Sequence, residues 1–362
     1  MKVHSLSLLW TVFSVLLIIS FQVTSDELND EYDYVEARLI DFNDEPVSRT
    51  AYTDLEGWTW VNFIIDSEGK VDDILLLDHS ERTQFIDEAF EYIRQFVFEP
   101  ATLNGNPIES NRFFFLRHSS NTGLDQNKSA GEAFAEDYGQ VLSLIAKNEL
   151  LEAKEAIDEL KEDFTFNLAR QAWISWLNAM LSFRQQDYAE YLRQLTIGYY
   201  LADSHLSNDV AAKLYMNLFE MQMYANLFVS ASDTIDTMVD SDKVTIDQEL
   251  RLSLLERVLD KFDSSEPYTV ELTLRQDKWN FYRMLENELV MTFDKGSVER
   301  VNMRCEGFSV DYTDKLSEST ERLTVSAQNS VCDLFVQGKA GQKVLLKITP
   351  HTSADPQPNS AE

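Results

Sequence analysis

Residues 58–66, WTWVNFIID, alternate with a period of two. Thr59, Val61, Phe63 and Ile65 fall on one face of a strand, and Trp58, Trp60 and Asn62 on the other. SEGK follows as a turn in which Gly69 can take positive φ, and VDDILLLD (71–78) reads as the return strand. From Arg82 to Val97 the apolar spacing becomes helical, with Phe85, Ala89, Ile93 and Phe96 on one stripe. Pro100 ends that helix, Asn104-Gly105 makes a tight turn, and IESNRFFFLR (108–117) is a third strand. The order strand, strand, helix, strand defines a small α+β block within 26–120.

A polar linker (121–131) separates it from a helical stretch over 132–262 that contains very few Gly or Pro. Short turns at Asn148, Gln186 and Asn226 recur at intervals of 38 and 40 residues, each interval spanning a helix pair. This resembles a tetratricopeptide-type array with a lengthened period; a plain helical bundle is the alternative. QELRLSLLERVLDKF (248–262) reads as the closing helix. Seven short β-rich runs between 267 and 350, divided by turn residues, predict a β-sandwich. A proline-containing tail (351–362) ends the chain. The fold class expected is therefore α+β multidomain.

The first 25 residues change the picture of where the chain works. Lys2, the apolar run Leu8–Ile19, and Val23 and Ser25 at small-residue cleavage positions form a secretory signal. The run is short for a membrane span; extended through Phe21 and Val23 it could serve as an anchor, and only then would the chain contact a membrane. An exported chain meets an oxidising compartment, so Cys305 and Cys332 are read as a disulfide, with two free buried thiols as the alternative. The net charge of −31 argues against nucleic acid and anionic lipid as partners.

The first block resembles the C-terminal domain of the TonB energy-transducer family. Gly57, Val61, Phe63, Ile65, Asp66, Gly69, Val71, Asp73, Ile74, Leu76 and Ser80 fit its hairpin, and Phe85, Ala89, Ile93, Arg94 and Phe96 its helix. Phe98-x-Pro100-Ala101-x-x-Asn104-Gly105-x-Pro107 fits its exit from the helix. The resemblance implies that the strand after Asn104-Gly105 has an open edge that pairs with an extended segment of an outer-membrane receptor, by β-augmentation. Carried over, the partner-binding strand is centred on Ile108, Ser110, Asn111, Arg112 and Arg117, with the two arginines suited to an acidic peptide. The long Pro-rich spacer of the family's transducers has no counterpart: between Asp26 and Gly57 the only proline is Pro46.

No catalytic constellation emerges. His4, His79, His118, His205 and His351 are scattered, and neither H-E-x-x-H nor G-x-S-x-G occurs. His79 reads as a solvated loop histidine. No cofactor or metal is implied. The expectation is a non-enzymatic periplasmic adaptor of a Gram-negative envelope that binds an envelope protein or peptide. The alternatives are an inner-membrane-anchored transducer supporting outer-membrane transport, and a glycan-binding or hydrolytic envelope protein.

Overall fold

A computed structural model describes residues 33–41, 56–80, 83–118, 131–164, 167–262, 264, 266–284, 288–317, 321–326 and 331–349. The signal segment 1–25, all of the linker but Gly131, and the tail 351–362 lie outside the described residues. The described elements are α+β, with eight helices and several antiparallel sheets. None of these helices is long and apolar enough to cross a membrane.

The small block is built on strands β1 (Tyr34–Val35), β2 (Arg38–Asp41), β3 (Gly57–Ile65) and β4 (Val71–His79), helix α1 (Gln84–Ile93), and strands β5 (Val97–Glu99), β6 (Ala101–Leu103), β7 (Asn106–Ile108) and β8 (Ser110–His118). Its main sheet has the order β4-β3-β8, all antiparallel. Val61, Phe63 and Ile65 pack with Ile93, Phe96 and Phe98 beneath α1. β1 and β2, unforeseen in the acidic lead-in, pair with β6 and β5.

Three expectations are corrected here. The helix stops at Ile93, and Pro100 does not end it; a turn at Arg94-Gln95 and strand β5 intervene. Phe96 and Phe98 are both buried, two residues apart, so a strand period replaces the helical one before the proline is reached. The third strand is also not continuous over 108–117: Ile108 belongs to β7, and β8 begins after a break at Glu109. His79 is not a loop residue but ends β4, half-buried, with Nδ1 against the Ser80 carbonyl.

Helices α2 (Glu132–Ala146), α3 (Leu150–Phe164), α4 (Leu168–Gln185), α5 (Tyr188–His205), α6 (Asn208–Tyr224), α7 (Phe228–Asp240) and α8 (Gln248–Phe262) follow. Asn148, Gln186 and Asn226 take φ of 61°, 62° and 60° and reverse the chain within the pairs α2/α3, α4/α5 and α6/α7. A left-handed residue at these ends lets the following N–H groups satisfy the last helical carbonyls. Asn167 and Asp187 cap α4 and α5 by accepting from Arg170 and Glu190 N–H.

The C-terminal block forms two four-stranded antiparallel sheets. Strands β10 (Asn280–Met284), β15 (Cys332–Gly338), β12 (Val298–Cys305) and β13 (Phe308–Asp311) make one, in that order. Strands β14 (Arg322–Ser326), β11 (Glu288–Phe293), β16 (Lys343–Ile348) and β9 (Tyr268–Thr273) make the other. Tyr282, Val301 and Leu334 from the first share one core with Met291, Leu346 and Val270 from the second. Among the described residues the block thus has eight strands rather than seven, the additional one being β10. Cys305 and Cys332 are cross-strand neighbours joined by a disulfide.

The candidate edge and the three-block junction

The two faces of the small sheet have different tasks. One packs on α1. The other, carrying Trp58, Trp60, Asn62, Leu75, Leu77, Phe113 and Phe115, is roofed by the two later blocks. Trp60 packs at 5.3 Å from Tyr200 of α5 and 5.5 Å from Phe281 of β10, centroid to centroid. Phe115 stacks on Tyr200 at 4.5 Å, and Phe113 lies 4.7 Å from Phe281. Leu75, Leu77, Trp279 and Phe335 complete the seam.

Ion pairs lock the seam, with Asp78, Arg304 and Asp333 buried and Asp73 and Asp233 half-exposed. Asp78 Oδ2 accepts from Arg193 Nε of α5 at 2.8 Å and from Arg275 Nη1, just beyond β9, at 2.6 Å. Burial pushes the Asp78 carboxyl up, but the two guanidiniums outweigh it and hold it below the ordinary carboxylate value. Arg304 of β12 is fully buried and donates to Asn62 Oδ1 and Asp73 Oδ2, each at 2.7 Å. Burial pulls its guanidinium down to about 10, with Asp73 acting against that. Arg283 of β10 reaches Asp233 of α7 at 2.6 Å and Asp333 of β15 at 3.3 Å. At the far end, Glu56 Oε2 accepts the Leu168 N–H at the start of α4.

The β8 rim can be read group by group. Trp58 turns its carbonyl toward β4, where it accepts from Ser80 N–H at 2.9 Å. In an antiparallel ladder bonding direction alternates residue by residue. The odd-numbered residues of β3 therefore bond to β8, where register pairs them with Ser110, Arg112, Phe114, Leu116 and His118. The backbone groups of Asn111, Phe113, Phe115 and Arg117 point outward. Glu109 agrees with this phase, since its carbonyl accepts from Gly307 N–H at 2.7 Å, across the rim.

The rim is thus partly covered. Its first part meets the β12–β13 turn, through Gly307 and through Asn111 Nδ2, which donates to the Arg304 carbonyl at 3.4 Å. A cavity of about 280 Å³ opens beside Ser110–Phe113, walled by Tyr34, Glu36, Glu306 and Asp333. Beyond it, the outward backbone groups of Phe113, Phe115 and Arg117 have no hydrogen-bond partner among the described residues. No described strand pairs with β8 on that side.

The side chains expected on the partner-binding strand are engaged within the chain. Ile108 packs in the core under α1, and Ser110 is buried. Asn111 accepts from Asn62 at 2.8 Å. Arg112 donates to the Ala37 carbonyl at 3.4 Å and lies 3.8 Å from Glu36. Arg117, exposed, donates to Ser204 Oγ at 3.0 Å. The structure does not bring the two arginines together: they project from opposite faces of the sheet.

The residues that fit the family frame hold the scaffold. Gly69 takes φ +82°, and a Cβ there would lie 1.9 Å from the Phe98 carbonyl oxygen. Gly57 lies under the Phe85 ring, where a Cβ would sit at 2.3 Å. Asn104 and Gly105, with φ +52° and +75°, form the two-residue turn between β6 and β7. Pro100 divides β5 from β6, Ala101 is buried, and Pro107 lies in β7. The arginines of the junction were missed by sequence reasoning. Their one signal was a strand, β3, that was apolar on both faces and so needed a second cover.

Residues 48–113 match the family model of the Gram-negative bacterial TonB protein C-terminal. No curated protein matches the chain.

Proposed function

We propose that this chain is an exported adaptor of a Gram-negative envelope that receives an extended segment of another envelope protein along the outer edge of β8. The reading is of binding, without catalysis. The observation that carries it is the run of outward backbone groups at Phe113, Phe115 and Arg117, which have no hydrogen-bond partner among the described residues. A strand laid there would extend the β4-β3-β8 sheet by one member, with main-chain hydrogen bonds supplying affinity. The TonB-type match over 48–113 supports an envelope partner such as an outer-membrane receptor segment. The helix pairs, taken as a tetratricopeptide-like array, and the β block, taken as a sandwich, hold the edge in a fixed frame. The compartment is the periplasm.

The side chains on β8 are already committed, so they set the shape of the edge more than the charge of its guest. The test is a photo-crosslinking residue in place of Arg117, used in cells. The expected adducts map to alternate residues of one extended segment in an envelope protein. Adducts confined to this chain itself would contradict the proposal.

A further inference from the structure

The cavity beside Ser110–Phe113 lies where the covered part of the β8 rim gives way to the open part. Beyond β8 itself, β1 and its link to β2 bring Tyr34, Glu36 and Ala37 to the walls, and the β12–β13 turn brings Glu306. Ala37, Ile65, Phe113 and the exposed Val331 supply apolar surface. A strand paired with Phe113, Phe115 and Arg117 finds the outward carbonyl of Glu109 already taken by Gly307 N–H. Its end therefore lies at this cavity.

The charges of the cavity do not balance. Among the described lining residues three carboxylates, Glu36, Glu306 and Asp333, stand against two guanidiniums, Arg112 and Arg283. Arg283 also answers Asp233, and Arg112 comes no nearer than 3.8 Å to Glu36. Glu306 is half-buried, accepts from the Tyr34 hydroxyl, and makes no ion pair among the described residues. Burial pushes its carboxyl up, with Tyr34 acting against that and the charge of Glu36 adding to it. Burial and the charges of Glu306 and Glu36 push the Tyr34 hydroxyl up to about 12. In the wall, Asp333 Oδ1 is buried and makes no hydrogen bond among the described residues, with Arg283 Nε as its ion-pair partner at 3.3 Å. It adds negative charge without being touched by a guest. A long side chain with an apolar stem and a cationic head matches these walls: the stem lies on Phe113 and Val331, and the head reaches the accessible carboxylates.

We infer that this cavity receives a lysine or arginine side chain from the end of the guest strand, with Glu306 and Glu36 accepting from its cationic head. The site depends on the strand addition proposed above, and it favours a basic guest over the acidic one that Arg112 and Arg117 alone suggest.

The test uses the full mature chain and three capped heptapeptides of the form X-Thr-Val-Thr-Val-Thr-X, with X lysine, norleucine or glutamate. The same residue at both ends makes the result independent of strand direction. Amide exchange at Phe113, Phe115 and Arg117 reports strand addition, and fluorescence titration gives affinity. The lysine peptide is expected to slow exchange at these three amides and to bind about tenfold tighter than the norleucine peptide, with the glutamate peptide weakest. The whole chain is strongly acidic, so variants locate the preference. Glu306→Gln, or Glu36→Gln if the first fails to fold, should cut the lysine preference to about twofold or less, whereas Glu152→Gln, exposed on α3, leaves it intact. Slowed exchange with equal affinity for the lysine and norleucine peptides, or a preference untouched in the cavity variants, overturns the lysine site and leaves strand addition standing. Unchanged exchange with all three peptides counts against strand addition itself and takes the lysine site with it.

Discussion

Asp78 and Arg275 stand 197 residues apart in the chain and 2.6 Å apart in the fold, with Arg193 from the helical block closing on the same carboxylate oxygen. One side chain of the small sheet therefore binds all three blocks together. Removing it takes the shared carboxylate from two guanidiniums, leaving Arg193 to Glu190 and Arg275 to the Leu77 carbonyl and Asn280. Asp78→Ala is expected to destabilise by about 3 kcal/mol, as breaking one side of a buried pair does. Chemical denaturation measures the loss, and limited proteolysis should show cleavage between the blocks at denaturant concentrations that the unmodified chain resists.

Asp333 gives the seam a pH dependence. Burial pushes its carboxyl up to about 6, with Arg283 only partly opposing it. An acid whose folded pKa is raised is most favourable while protonated. Its contribution is complete below the unfolded value of 3.8 and is lost as pH rises through about 6. Asp333→Asn should flatten the stability profile between pH 4 and 6, a gain of at most about 3 kcal/mol at neutral pH. Thermal melts across that range decide it. An unchanged slope would show that this carboxylate does not titrate there.

Gly69 sits where no other residue fits, because positive φ coincides with contact to the Phe98 carbonyl. Gly69→Ala is expected to cost about 2–4 kcal/mol by denaturant melt, above the 1–2 kcal/mol of the backbone conformation alone.

Cys305 and Cys332 close a loop of 27 residues. Replacing both by Ala should cost about 3–4 kcal/mol in the chain-entropy model, measured as a drop in Tm that a reductant reproduces in the unmodified chain.

The edge strand predicts an asymmetry between neighbours. Proline is tolerated where the N–H faces out of the sheet and not where it bonds to the next strand. Arg117→Pro should leave Tm within a few degrees of Arg117→Ala, whereas Leu116→Pro, which breaks the bond toward Thr59, should unfold the small block.

Much of the architecture was legible because single residues announce it. Gly69, Asn104-Gly105, Asn148, Gln186 and Asn226 are all read correctly as turns, and all take positive φ. The closing helix at 248–262 lies where its spacing puts it. What escaped depends on contacts between distant segments. β10 was missed because Phe281 and Arg283 face the small sheet while Tyr282 and Met284 face the core of their own block, which erases the alternation of a half-buried strand. β5 was absorbed into the helix because Phe96 fits both periods. Arg304 and Asp73, 231 residues apart, carry no local signal of their pairing.

The central claim is that the second half of the β8 rim is open, and amide hydrogen exchange read residue by residue tests it without any partner. Arg112, Phe114 and Leu116 should exchange slowly, bonded to β3, while Phe113, Phe115 and Arg117 exchange at least a hundredfold faster. Equal protection along the whole strand would mean that the chain already occupies its own edge, and strand addition would have no place to occur.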